Sequence, residues 1–213
     1  MMCTQTTNKQ IQFRMKATLI TLVTILVLLG IVVLGSIGIY NGQISRDEDC
    51  IKSWADVEAT YQRRADLIPN LVNTVKGYAS HEKETLEAVV NARKQVTELT
   101  AKLDTGVELD EQSMQKFMNA QEQLSSTLNR LLVTVERYPD LKANQNFLDL
   151  QHQLEGTENR INVARQRYNG SVADLNKSVR GFFGKMVSNM SGVNQRKPFK
   201  ASEGSENSPE VLF

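Results

Sequence analysis

The sequence predicts an all-α protein: a single N-terminal transmembrane helix, then an elongated antiparallel bundle of three long helices. If a kink at Pro69 is counted as a break, the bundle has four. Two observations carry this. Ala17 to Tyr40 (ATLITLVTILVLLGIVVLGSIGIY) contains no charged residue and, at about 24 residues, is long enough to span a bilayer. Beyond it, apolar residues recur at helical spacing in three successive runs, and nothing reads as a strand.

The apolar segment reads as an uncleaved anchor. A cleavable signal peptide has a shorter apolar core ending in a small-x-small site, whereas this run continues into Ile39 and Tyr40. Lys9, Arg14 and Lys16 precede it without an acidic residue, while Arg46, Asp47, Glu48 and Asp49 follow. Lysine and arginine favour the cytoplasmic side. The expected location is therefore the bacterial cytoplasmic (inner) membrane, single-pass, with the N-terminus inside and the bundle outside. Gly38 and Gly42 are spaced as GxxxG but lie at the end of the span, and they read as a flexible exit from it.

The first run extends from Val57 to Leu103. Tyr61, Ile68, Val75, Val89, Val96 and Leu103 keep a seven-residue interval broken only by Glu82, with Val57, Leu71, Tyr78, Ala92 and Leu99 between them. Val72, Ala79 and Leu86 widen this seam, and a helix so patterned needs partner helices. Read as one helix, it would reach roughly 70 Å at about 1.5 Å per residue, far longer than its partners, so that its membrane-proximal part would stand beyond them as a stalk or a surface for another protein. Asp104-Thr105-Gly106 ends it and Asp110 is the expected N-cap of the next. Met114, Phe117, Leu124, Leu128, Leu131 and Val135 form the second seam, which Tyr138-Pro139 stops. Phe147, Leu154, Ile161, Tyr168 and Leu175 form the third, with Leu150 and Ala164 between. Short turns between such helices imply left-handed, coiled-coil-like packing.

The expected organisation is a cytoplasmic segment at 1–16, the span at 17–40, the bundle at 41–180, a short amphipathic segment at 181–195 and a disordered tail at 196–213. In GFFGKMVSNMSGV, Phe182, Phe183, Met186, Val187 and Met190 share one side and Lys185 is the only charge. Such a segment either caps the bundle or rests on lipid through Phe182, Phe183 and Met186. Its shortness and weak basicity favour the cap. Arg196 to Phe213 is rich in Ser, Glu and Pro, the composition of a disordered segment.

No chemistry is apparent, and the chain is expected not to be an enzyme and to carry neither cofactor nor metal. Lysine plus arginine (25) nearly balances aspartate plus glutamate (24), which argues against a nucleic-acid partner. Cys3 and Cys50 provide neither a disulfide framework nor a clustered zinc site. His81-Glu82-Lys83-Glu84 begins like a zinc-protease helix but lacks the second histidine, and no phosphate loop or nucleophile elbow is present.

Pro69 is the anomaly. Within a helix it removes the bond to the carbonyl of Ala65 at a cost of about 3 kcal/mol. Arg63 and Asp66 stand three apart and can pair, and Asn70 could serve a freed carbonyl. A kink that shapes packing is the simpler reading. Alternatively, Arg63, Arg64, Asp66 and Asn70 form a docking surface for a protein partner.

The stretch YQRRADLIPNLVNTVKGYASHEKETLEAVVNAR, Tyr61 to Arg93, resembles the signature of LemA family proteins. RLLVTVERYPDLKANQNFLDLQHQLEGTENRINVARQRYN, Arg130 to Asn169, is similar to that family's second block, and the likeness runs from Tyr40 to about Asn176. Two departures lie towards the C-terminus. Arg180-Gly181-Phe182-Phe183-Gly184 stands where the family commonly has Phe-Pro-Asn, and Lys197-Pro198-Phe199 replaces its closing Lys-Pro-Tyr-Phe. The resemblance implies a small bacterial membrane protein with an elongated antiparallel helical bundle and no established enzymatic activity. A relative helps build magnetosome membranes, so the resemblance also implies membrane organisation as one family role. The expected function is thus a membrane-anchored scaffold of the cell envelope that binds unidentified protein partners or forms a homo-oligomer, or else a protein that organises membrane through oligomerisation and lipid contact.

Overall fold

The computed structural model describes residues 3–103 and 111–199; the expected turn at Asp104–Asp110 lies outside them. Among the described residues every regular element is a helix: α1 (Cys3–Tyr78), α2 (Lys83–Leu103), α3 (Glu111–Val135), α4 (Pro139–Lys142), α5 (Gln145–Arg180) and α6 (Phe182–Ser191). The chain divides into two compact units, one comprising 1–46 and 177–194, the other 47–176 and 195–213.

In the first unit the leading part of α1 is apolar and bare. Side chains from Leu19 to Ile37 are exposed, which in water would be unfavourable and in hydrocarbon is not. Its hydroxyls are satisfied within the helix, Thr24 Oγ1 donating to Thr21 O at 2.8 Å and Ser36 Oγ to Val32 O at 2.8 Å. The helix continues without a break through Gly38 and Gly42, where a flexible exit was expected.

In the second unit the predicted seams are the core. Ile68, Leu71 and Val75 of α1, Val89, Ala92 and Val96 of α2, and Leu124, Leu128, Leu131 and Val135 of α3 form one buried cluster with Leu141 of α4 and Phe147 of α5. Further along α5, Ile161, Ala164, Tyr168 and Leu175 are buried as expected. Tyr78, by contrast, is 47% exposed.

The long first helix is corrected. Residues 79–82 are a turn, so Val57 to Leu103 comprises two helices, and no single rod runs through the whole stretch. α2 folds back along α1, since Arg93 reaches Ala65 across the turn. The break falls at 79–82, while Pro69 lies inside α1. Glu82, the one residue that interrupts the seven-residue interval, ends this turn. Its carboxylate accepts a hydrogen bond from Tyr138 Oη at 2.9 Å and pairs with Arg137 at 3.2 Å, just beyond α3.

Pro139 occupies the first turn of α4, where its missing N–H has no bond to lose. Asn144 then caps α5, its Oδ1 accepting from Phe147 N at 3.1 Å while its Nδ2 donates to Tyr78 Oη at 2.9 Å.

The tail is also corrected in part. Residues 196–199 lie outside any helix but are tied down by hydrogen bonds to α5, with Phe199 buried. Positions 200–213 of the expected disordered tail lie outside the described residues.

Candidate functional site

The segment from Tyr61 to Arg93 is the α1–α2 hairpin, and its two ends meet at the proline. Pro69 cannot donate to Ala65 O; the Arg93 guanidinium does so instead, Nε to O at 2.8 Å. Asn70 does not serve that carbonyl. It is exposed, and its own backbone oxygen accepts from Thr74 Oγ1 at 2.9 Å.

Arg64 is inside the protein, not on a docking surface, with 3% of its area exposed. Nη1 donates to Glu158 Oε2 of α5 at 2.8 Å and to Ser125 Oγ of α3 at 3.0 Å, and Nη2 donates to Gln121 Oε1 of α3. Its guanidinium carbon also lies 5.3 Å from the centre of the Tyr61 ring. One cation therefore ties α1 to α3 and α5. Burial pushes the Tyr61 hydroxyl pKa up, partly opposed by Arg165 and Arg64.

Arg63, Asp66 and Asn70 are exposed, and their spacing puts them on one face of α1. The expected Arg63–Asp66 pair does not form among the described residues. Asp66 Oδ1 accepts instead from Gln62 Nε2 at 2.8 Å. Further along the hairpin, an open groove is lined by Val72, Lys76, Lys83, Leu86, Glu87 and Val90.

A family model for the LemA family matches residues 53–213. The chain belongs to the LemA family. No curated protein matches it.

This LemA family chain also holds an arrangement that its sequence did not disclose. Asn169 and Asn176 stand two turns apart on α5, and each grips the backbone of the extended C-terminal segment with both ends of its amide. Asn169 accepts from Phe199 N at 2.8 Å and donates to Phe199 O at 3.1 Å. Asn176 accepts from Arg196 N at 3.0 Å and donates to Arg196 O at 2.9 Å. Tyr168 Oη donates to Lys197 O at 3.1 Å, and Arg196 Nε pairs with Asp47 at 2.7 Å. Phe199 stacks on Trp54 with centroids 5.7 Å apart and meets Tyr168 edge-on at 5.4 Å. The signal available in sequence was the Asn-x6-Asn interval with Lys197-Pro198-Phe199, where proline excludes helix and leaves backbone groups for side chains to satisfy.

Cys50 is fully buried in this second unit. Burial pushes its thiol pKa up to about 11, with Arg196 the largest opposing influence. No group of three or more His, Cys, Asp or Glu side chains able to hold a metal occurs among the described residues.

The expected lipid-contact residues belong to the first unit. Phe182, Phe183 and Met186 are exposed at 79%, 62% and 61%. Gly184, Val187 and Ser188 form the buried face of α6.

Proposed function

We propose that this protein is a non-enzymatic scaffold, anchored in the bacterial cytoplasmic membrane by the first part of α1 and binding protein partners or copies of itself. The observation that carries the reading is the bare apolar run from Leu19 to Ile37, on the same helix that later contributes Ile68, Leu71 and Val75 to a core. Hydrocarbon is the solvent in which that exposure costs nothing, and the backbone-satisfied hydroxyls of Thr24 and Ser36 suit it. In this reading the long helices form an antiparallel, coiled-coil-like bundle outside the membrane. The exposed Arg63, Asp66 and Asn70 offer the docking face, and Arg64 supports it from within.

Photo-crosslinkers at Arg63, Asp66 and Asn70 in intact membranes test the scaffold. Discrete higher-mass adducts are expected, and monomer alone at all three positions would sink the idea. The topology needs its own probe. Cys50 is buried and protonated, so it is a poor target for a maleimide, whereas Glu48 is exposed. With the outer barrier, if present, permeabilised, an impermeant maleimide should label a Glu48→Cys variant and spare Cys3. The reverse pattern would move the bundle and its partners into the cytoplasm.

A further inference from the structure

α6 is held beside the end of the apolar run. Gln43, fully buried, donates from Nε2 to Gly184 O at 2.8 Å. The contact requires glycine at 184, because a Cβ there would come within 1.9 Å of Ser178 O. Gln43 lies three residues after Tyr40, about 4.5 Å along the helix axis at 1.5 Å per residue. α6 is therefore fixed at the level where the apolar run gives way to polar residues, and Tyr40 occupies the position of an interfacial aromatic.

At about 100° per residue, α6 presents three faces. Gly184, Val187 and Ser188 face the protein. Phe182, Phe183, Met186 and Met190 share an arc of about 100° and are all exposed, Met190 at 86%. Lys185 and Asn189 occupy the third face. The helix ends at Gly192, whose left-handed backbone (φ 73°) closes onto Ser188 O, so the apolar arc is presented by a terminated helix.

Within the first unit the charge has one sign, and acidic residues begin just beyond it on α1 with Asp47, Glu48 and Asp49. Arg46, Lys177, Arg180 and Lys185 are exposed, and neither 1–46 nor 177–194 contains an aspartate or glutamate. An apolar arc bordered by cations at the exit of a membrane span matches an anionic bilayer surface. Acyl chains take the Phe and Met side chains, and headgroup phosphates take the cations.

We infer that α6 is an interfacial helix that inserts Phe182, Phe183, Met186 and Met190 into the headgroup boundary of an anionic bilayer, beside the span and held to it by Gln43. This replaces the bundle-cap reading of the segment, and it rests on the anchored reading above.

The test uses the full chain, carrying Cys3→Ser and Cys50→Ala, in phosphatidylethanolamine–phosphatidylglycerol vesicles with bromine on the upper acyl chain. A fluorophore is placed on one cysteine at a time, in Met186→Cys, Leu29→Cys or Val133→Cys. Loss of emission to brominated lipid is expected at 186 and 29, and loss to aqueous iodide at 133. Quenching by lipid at 29 but by iodide at 186 overturns this inference and leaves the anchor intact. Protection of 186 from both quenchers also overturns it, since a protein surface would then cover the arc. Iodide quenching at 29 overturns the anchored reading itself. Replacing phosphatidylglycerol with phosphatidylcholine should reduce lipid quenching at 186 relative to 29, and an unchanged ratio overturns the cationic headgroup contact.

Discussion

At the scale of single residues, Pro69 and Arg93 form a donor exchange. Proline removes an N–H from the α1 ladder, and a guanidinium from α2 supplies another to the same carbonyl. A charged donor to a carbonyl is worth about 1.5–3 kcal/mol, and an unsatisfied buried carbonyl costs a similar amount. Arg93→Met should therefore destabilise the fold by about 1–3 kcal/mol. In a Pro69→Ala background the backbone N–H returns, so the same Arg93→Met change should cost distinctly less. A double-mutant cycle by urea denaturation measures this coupling, and strict additivity would show that Arg93 does not stand in for the missing bond. Arg64, read from sequence as a docking residue, shows the limit of residue type as a guide. Its stem and head are buried because Gln121, Ser125 and Glu158 converge on it, and these lie 57, 61 and 94 residues away in the chain.

Among the elements, the strap from Arg196 to Phe199 shows how a chain without secondary structure can be fixed. Two asparagines pair with its backbone as a neighbouring strand would, and Phe199 fills a site against the only tryptophan, Trp54. Replacing both Asn169 and Asn176 by alanine should release the strap and expose Trp54 to water. Its emission should move to the red by as much as in a Phe199→Ala variant. An unchanged spectrum in the double variant, with a shift in Phe199→Ala, would mean that ring stacking alone holds the segment. The seams were legible because a period near 3.5 is written in local sequence and survives any topology. The turn at 79–82 was hidden because Val75 and Val89 stand two seven-residue intervals apart across it, with Glu82 as the single break, so two helices imitate one. The strap was hidden because it is polar, and its pairs join residues 20 and 30 apart. α6 was visible as amphipathic, but its attachment depends on Gln43, 141 residues from Gly184.

For the molecule as a whole, the same burial that builds the core sets a limit in alkali. Cys50 has its pKa pushed from 9.0 up to about 11 and Tyr168 from 10.0 up to about 12, with Tyr61 also raised; burial is the main cause in each. Each of these groups is neutral when protonated, so the fold favours the protonated form. Their contribution is fully present below the unfolded values and is lost as pH rises through the folded ones. The urea midpoint of the helical signal should therefore change little from these groups up to about pH 9. It should fall steeply between about 10 and 12, with tyrosinate absorbance rising as the helices melt. The deciding comparison is Tyr168→Phe. That variant keeps the ring against Trp54 and Phe199, loses the bond to Lys197 O, and removes one of the three titrations. It should be weaker than the parent by about 1 kcal/mol at neutral pH, yet decline less between pH 10 and 12. Parallel decline of the two proteins would mean that Tyr168 ionises without cost in the fold, and that its hydroxyl is open to water when the helices are formed.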